Sequence, residues 1–116
     1  MKQEIKQAFN EQGYSFLLPI QEKAIPQILA HKNLFIQAAT GSGKTLAYLL
    51  PALEIADSTS HDTQVLIITP TRELALQVSE VAKNIANDSK HHIVTVIGGL
   101  DIHKQENALR HRPTII

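Results

Sequence analysis

From Asn33 to Ala56 the chain reads NLFIQAATGSGKTLAYLLPALEIA: a short apolar run, a loop with two closely spaced glycines, then an apolar stretch long enough for a helix. Few folds accept that order. The run NLFIQAA has the length and composition of a buried strand, and KTLAYLLPALEIA those of a helix packed against it. Gly41 and Gly43 let the backbone between them curl so that successive N–H groups face one point, and the following helix adds the positive end of its dipole. A loop of this kind suits a phosphate group. Lys44 then supplies a point charge for β and γ phosphates, and Thr45 a hydroxyl for Mg²⁺. The general phosphate-loop pattern starts on glycine where this chain has Ala38, so a methyl group fits at that point. The bland alternative is a glycine turn with a surface lysine, but it requires neither the strand before nor the helix after.

The rest of the chain repeats this alternation. Residues 2–11 read as an amphipathic helix through Ile5, Ala8 and Phe9, stopped by Gly13. A second helix starts at Pro19 and carries Ile20, Ala24, Ile28 and Leu29 inward, with Pro26 predicting a kink or an early end. After the polar loop DSTSHDT, the run QVLIIT predicts a strand buried on both faces. RELALQVSEVAKNIAN places Leu74, Val78, Val81 and Ile85 on one helix face. HIVTVIGG predicts a third strand, LDIHKQENALRH a weaker helix, and PTII a fourth strand just beginning. Successive units of this length predict an α/β fold: a parallel sheet with right-handed crossovers and helices on both faces. At 116 residues the chain fits one domain. Its ending on two isoleucines at a strand start reads as a cut, which would make the chain the N-terminal part of a larger protein.

Composition mainly excludes. Eleven Lys and Arg balance eleven Asp and Glu, so any nucleic-acid contact must be local rather than a global field. There is no cysteine, hence no disulfide scaffold, and no apolar run reaches the ~18 residues of a membrane span. The N-terminus MKQEIKQAFNEQ lacks a signal-peptide core, leaving the cytoplasm as the default compartment. The six histidines show no metal-binding spacing and read as surface or packing residues.

Three further stretches carry candidate chemistry. In GYSFLLPIQ, Gly13 to Gln21, the glutamine amide matches the N6 and N7 edge of adenine, although a lone glutamine is more often a solvated helix residue. In TPTRELALQ, Thr71 and Arg72 at a helix start offer a hydroxyl, a guanidinium and free N–H groups to a phosphate; first-turn charge decoration is the plainer reading. Gly98 and Gly99 end a strand where bare backbone could approach a nucleic-acid chain, or simply turn.

In this order the four stretches resemble the N-terminal helicase domain of DEAD-box ATP-dependent RNA helicases, over roughly residues 9 to 116. GYSFLLPIQ is similar to the family's Q motif at 13–21, AATGSGKT to motif I with its alanine start, PTRELALQ to motif Ia, and Gly98-Gly99 to the glycine pair. The resemblance implies a RecA-like P-loop domain with its core from about residue 33, truncated. It implies that Tyr14 and Gln21 contact adenine, that Ala39, Thr40, Gly41, Ser42, Gly43, Lys44 and Thr45 hold ATP, with Lys44 and Thr45 doing the phosphate and Mg²⁺ work, and that Thr71, Arg72, Gly98 and Gly99 touch RNA. Contacts to the sugar-phosphate chain carry no base sequence, so the implied RNA binding is sequence-independent, with a second helicase domain as partner.

The match has gaps. Leu17 and Leu18 stand where the Q motif usually has proline and threonine, and no Asp-Glu-Ala-Asp segment occurs. The arginine finger of the second domain, worth ~10³ to 10⁵ in turnover, is absent as well, so these residues alone are not expected to hydrolyse ATP usefully. Two rivals stand beside this reading: another P-loop NTPase, such as a small-molecule kinase, and a natural short protein that binds nucleotide or RNA without catalysis.

Overall fold

A computed structural model of the chain describes residues 1–87 and 90–116. Contacts group them into two units, Met1–Ile55 and Ala56–Ile116.

In the first unit the opening amphipathic pattern forms α1, Gln3–Glu11, which buries Ile5, Ala8 and Phe9. Gly13 follows with φ +85, a left-handed value that turns the chain at little cost to glycine. The turn is pinned because the rings of Phe9 and Tyr14 stack with centroids 5.0 Å apart. Helix α2, Pro19–Leu29, has proline in its first turn, and Gln21 Oε1 reaches back to accept from the Leu18 N–H at 2.9 Å, the one half of a capping box open to a chain with leucine at the N-cap. Pro26 does not end it: the helix runs on to Leu29, and the Ala30 N–H reaches the Pro26 carbonyl at 3.1 Å. The inward stripe is Gln21 and Ala24, with Ile20 and Ile28 half-buried. Leu29, expected inside, is exposed, because it lies about 100° round the helix from Ile28.

Helix α3, Lys44–Ile55, is the centre of this unit: Leu46, Ala47, Leu49, Leu50 and Leu53 are all buried, and both α1 and α2 pack on it. The apolar segment 33–39 differs from expectation. It forms no regular element and pairs with no other segment among the described residues, and Phe35 is 92% exposed. A strand is buried only when neighbours pair its edges and helices cover its faces, and no extended segment of this unit lies alongside to do so.

In the second unit the expected parallel order is visible at two isolated bridges, Val65 to Ile115 and Ile93 to Ile115. Segment 114–116 is therefore central. It donates from Ile116 N to the Val65 carbonyl at 3.0 Å and from Ile115 N to the His92 carbonyl at 3.1 Å. Helix α4, Arg72–Ile85, is capped by Thr71, whose side-chain oxygen accepts from the Leu74 N–H at 3.2 Å. It buries Val78, Ser79, Ala82 and Ile85, and Thr95 Oγ1 donates to Ser79 Oγ, which ties the helix to segment 93–97. Helix α5, Ile102–Arg110, is capped by Asp101 and has no buried residue.

QVLIIT was expected to be covered on both faces, but only one face is. Val65 and Ile67 are partly buried, whereas Leu66 and Ile68 are exposed by 66% and 83%. Side chains alternate along an extended segment, α4 takes one face, and α5 buries nothing over the other.

Candidate nucleotide and nucleic-acid sites

The first site lies within the first unit, where the glycine loop enters α3. Gly41 and Gly43 have φ +81 and +90, and the Ser42 N–H closes a turn on the Ala39 carbonyl at 3.2 Å. Ala39, Thr40 and Gly41 are exposed, while Ser42, Gly43, Lys44 and Thr45 are half-buried at the helix start. Lys44 Nζ bends back to donate to the Ala38 carbonyl. Ser42 Oγ is buried without a hydrogen-bond partner, the kind of group that an oxygen-rich ligand satisfies. Together with the convergent N–H groups and the helix dipole, this donor set fits a phosphate chain.

Gln21 is brought directly onto this loop. Only 2% exposed, it accepts from the Leu18 N–H through Oε1 and donates from Nε2 to the Gly43 carbonyl at 3.1 Å. The amide thus joins the start of α2 to the loop, a tie that the sequence did not reveal. One Nε2 hydrogen and one Oε1 lone pair remain by valence count. Tyr14 is 41% exposed, with its ring stacked on Phe9.

No group of three or more His, Cys, Asp or Glu side chains that could hold a metal occurs among the described residues. A divalent cation here would draw on the Thr45 hydroxyl and on phosphate oxygens; Mg²⁺ beside nucleotides usually takes one or two carboxylates and waters as well. Thr45 is hydrogen-bonded to Tyr48, one turn further along α3. Burial raises the Tyr48 phenol pKa above its ordinary value, and the Thr45 bond opposes the rise. An acid whose folded pKa is raised gives stability that is complete below its unfolded pKa of about 10 and is lost as pH rises through the folded value. Thermal melts should therefore weaken above about pH 10 in the native chain, and Tyr48→Phe should flatten that alkaline fall.

The second site lies within the second unit. Arg72 opens α4, and its Nη1 donates to the Gly98 carbonyl at 3.1 Å. Arg72 and the glycine pair, separate in sequence, therefore form one cluster. Gly99 has φ +83, which favours glycine, and a Cβ built there would lie 2.6 Å from Arg72 Nη1 and push the guanidinium from its seat. Four of the five Arg72 N–H donors remain beyond this bond. Thr71 uses its oxygen as the helix cap, which leaves its O–H to donate.

The described structure also points to groups the sequence reading passed over: the Ala38 carbonyl, Tyr48, and Gln105, whose Oε1 accepts from the Ile97 N–H at 2.7 Å. Only Tyr48 had a sequence signal, its spacing of three from Thr45 on one helix face.

With this geometry in hand, comparison with known proteins is informative. Over its full length the chain is 42% identical to the ATP-dependent RNA helicase CshA of Listeria monocytogenes and 39% identical to the DEAD-box ATP-dependent RNA helicase CshA of Bacillus subtilis. It spans only 22% and 24% of the lengths of those relatives. Among solved structures, a DEAD box protein from Methanococcus jannaschii superposes with a TM-score of 0.92 at 32% identity, covering 100% of this chain and 32% of that one. A hypothetical ATP-dependent RNA helicase from Sulfolobus tokodaii gives 0.89 at 36% identity, covering 99% and 33%. These likenesses establish the RecA-like fold that the family resemblance implies. A family model described as DEAD/DEAH box helicase matches residues 18–116, nearly the whole chain, and the chain belongs to that family.

Proposed function

We propose that this chain is the ATP-binding region, and part of the RNA-binding region, of a cytoplasmic ATP-dependent RNA helicase. The observation that carries the reading is the Gln21 amide bonded to the Gly43 carbonyl, because it joins the adenine-reading stretch and the phosphate loop into one site. In this reading Tyr14 and Gln21 recognise adenine, and Ala39 to Gly43 supply turn and N–H groups to the phosphates. Lys44 leaves the Ala38 carbonyl to meet the β and γ phosphates, and the Thr45 hydroxyl joins the phosphate oxygens around Mg²⁺. The metal supplies charge neutralisation on the phosphates when bound.

Thr71, Arg72, Gly98 and Gly99 contact the RNA sugar-phosphate chain, so binding is indifferent to base sequence. In the intact protein a second helicase domain closes with this one over both ligands. RNA strained in that closure opens a short duplex locally, and hydrolysis resets the cycle.

The test is strand separation of a short RNA duplex by the intact protein with ATP and Mg²⁺. Separation is expected with ATP and not with AMP, and Arg72→Ala should weaken RNA binding about ten-fold, equally for homopolymer and mixed sequences. A strong base preference in the native protein would contradict backbone recognition.

A further inference from the structure

We propose that Gln105 is a positioning residue for the RNA contact, acting through the backbone at the strand end, from Ile97 to Gly98, to set the Arg72 guanidinium; the inference rests on the RNA-binding reading above. Segment 93–97 pairs with segment 114–116 through the Val94 N–H and the His92 carbonyl. Backbone groups alternate sides along an extended segment, so the Ile97 N–H points to the opposite edge. Gln105, from the second turn of α5, fills that edge: its Oε1 accepts from Ile97 N at 2.7 Å, as a neighbouring strand would.

One residue further on, the Gly98 carbonyl accepts from Arg72 Nη1 at 3.1 Å. A relay results, in which a side-chain amide pins the strand end at Ile97 and the backbone one residue further on, at Gly98, seats a guanidinium. Gly99 sits under the same Nη1, 2.6 Å from where a Cβ would stand, so the guanidinium keeps this seat only beside glycine. An exposed helix that buries none of its residues gains a purpose from this arrangement, since α5 is held to the strand end by the Gln105 bond. Releasing Ile97 frees the strand end to shift, after which the Gly98 carbonyl moves and the guanidinium loses its seat and its pre-organisation for phosphate.

The test is a double-mutant cycle in the intact protein, reading affinity for a labelled oligouridine in the presence of a non-hydrolysable ATP analogue. Gln105→Met, equal in length but without an acceptor, should weaken oligouridine binding about five-fold. Affinity for the ATP analogue should be unchanged without RNA. In an Arg72→Ala background the same substitution should cost less than about two-fold, because the relay then ends on nothing. Hydrogen exchange of the Ile97 amide should accelerate in Gln105→Met and stay slow in Gln105→Glu, which keeps an acceptor oxygen.

An equal loss of RNA affinity in both backgrounds would overturn the relay, as would faster Ile97 exchange with RNA affinity intact. If Gln105→Met melts markedly lower, the cycle is run with Gln105→Asn, one methylene too short to reach Ile97, with the same criteria. Failure of Arg72→Ala itself to weaken RNA binding would instead remove the RNA reading on which the proposal stands.

Discussion

Gly43→Ala should be the most damaging single-methyl substitution in the chain. The backbone there has φ +90, and the added carbon would lie 2.6 Å from Gln21 Nε2 and 2.8 Å from Leu18 Cδ1. Both neighbours belong to the start of α2: Leu18 is 36% exposed and can swing aside, but Gln21 is buried and bonded to the Leu18 N–H and the Gly43 carbonyl, so its amide must leave those bonds. The left-handed conformation costs a non-glycine residue about 1–2 kcal/mol, and displacing the buried amide costs a further ~1–3 kcal/mol. A loss on the order of 3 kcal/mol lowers Tm by more than about 10 °C in a chain of this size. Gly41→Ala is the control. Its φ is +81, but nothing lies within 4 Å of the added carbon, so it should carry the backbone strain alone, about 1–2 kcal/mol. Paired thermal melts check the difference, and equal Tm values would mean that Gln21 and Leu18 yield freely.

Lys44→Ala should have the opposite profile, with little effect on folding and a large effect on nucleotide binding. In the described structure the ammonium donates to the Ala38 carbonyl at the half-buried helix start, so its loss should change stability by no more than about 0.5 kcal/mol. A charge-assisted bond to phosphate is worth about 1.5–3 kcal/mol, and its removal should therefore weaken binding of an ATP analogue about 10- to 100-fold. Adenosine, which has no phosphates, should bind both forms alike. Fluorescence titration with the two ligands separates these outcomes, and a parallel loss of adenosine binding would place Lys44 elsewhere than at the phosphates.

Much of the architecture was legible because it rests on local rules. The period of Ile5, Ala8 and Phe9, the proline at the start of α2 and the glycines of the loop each specify backbone through nearby atoms. What was not legible depends on long-range pairing. Phe35, Leu66 and Ile68 have the composition of buried strands, but whether such a run is covered depends on which segments lie beside it, and no local pattern records that.

The candidate sites divide in the same way. Lys44, Thr45 and Arg72 could be named from motif spacing, since the chemistry needs their charges and hydroxyls. The bonds that hold those groups could not, because Gln21 meets Gly43 across 22 residues and Arg72 meets Gly98 across 26. Gln105 was invisible for a simple reason: a glutamine on an exposed helix has no periodicity to mark it.

The central claim is that one chain binds ATP and RNA as linked ligands, and linkage can be read in a single titration. If both ligands favour the same closed state, each must raise the affinity for the other by the same factor. The affinity of the intact protein for a fluorescent ATP analogue with Mg²⁺ should therefore rise on saturation with RNA, and rise equally with oligouridine and with a mixed-sequence strand. An ATP-analogue affinity that RNA leaves unmoved would contradict the account.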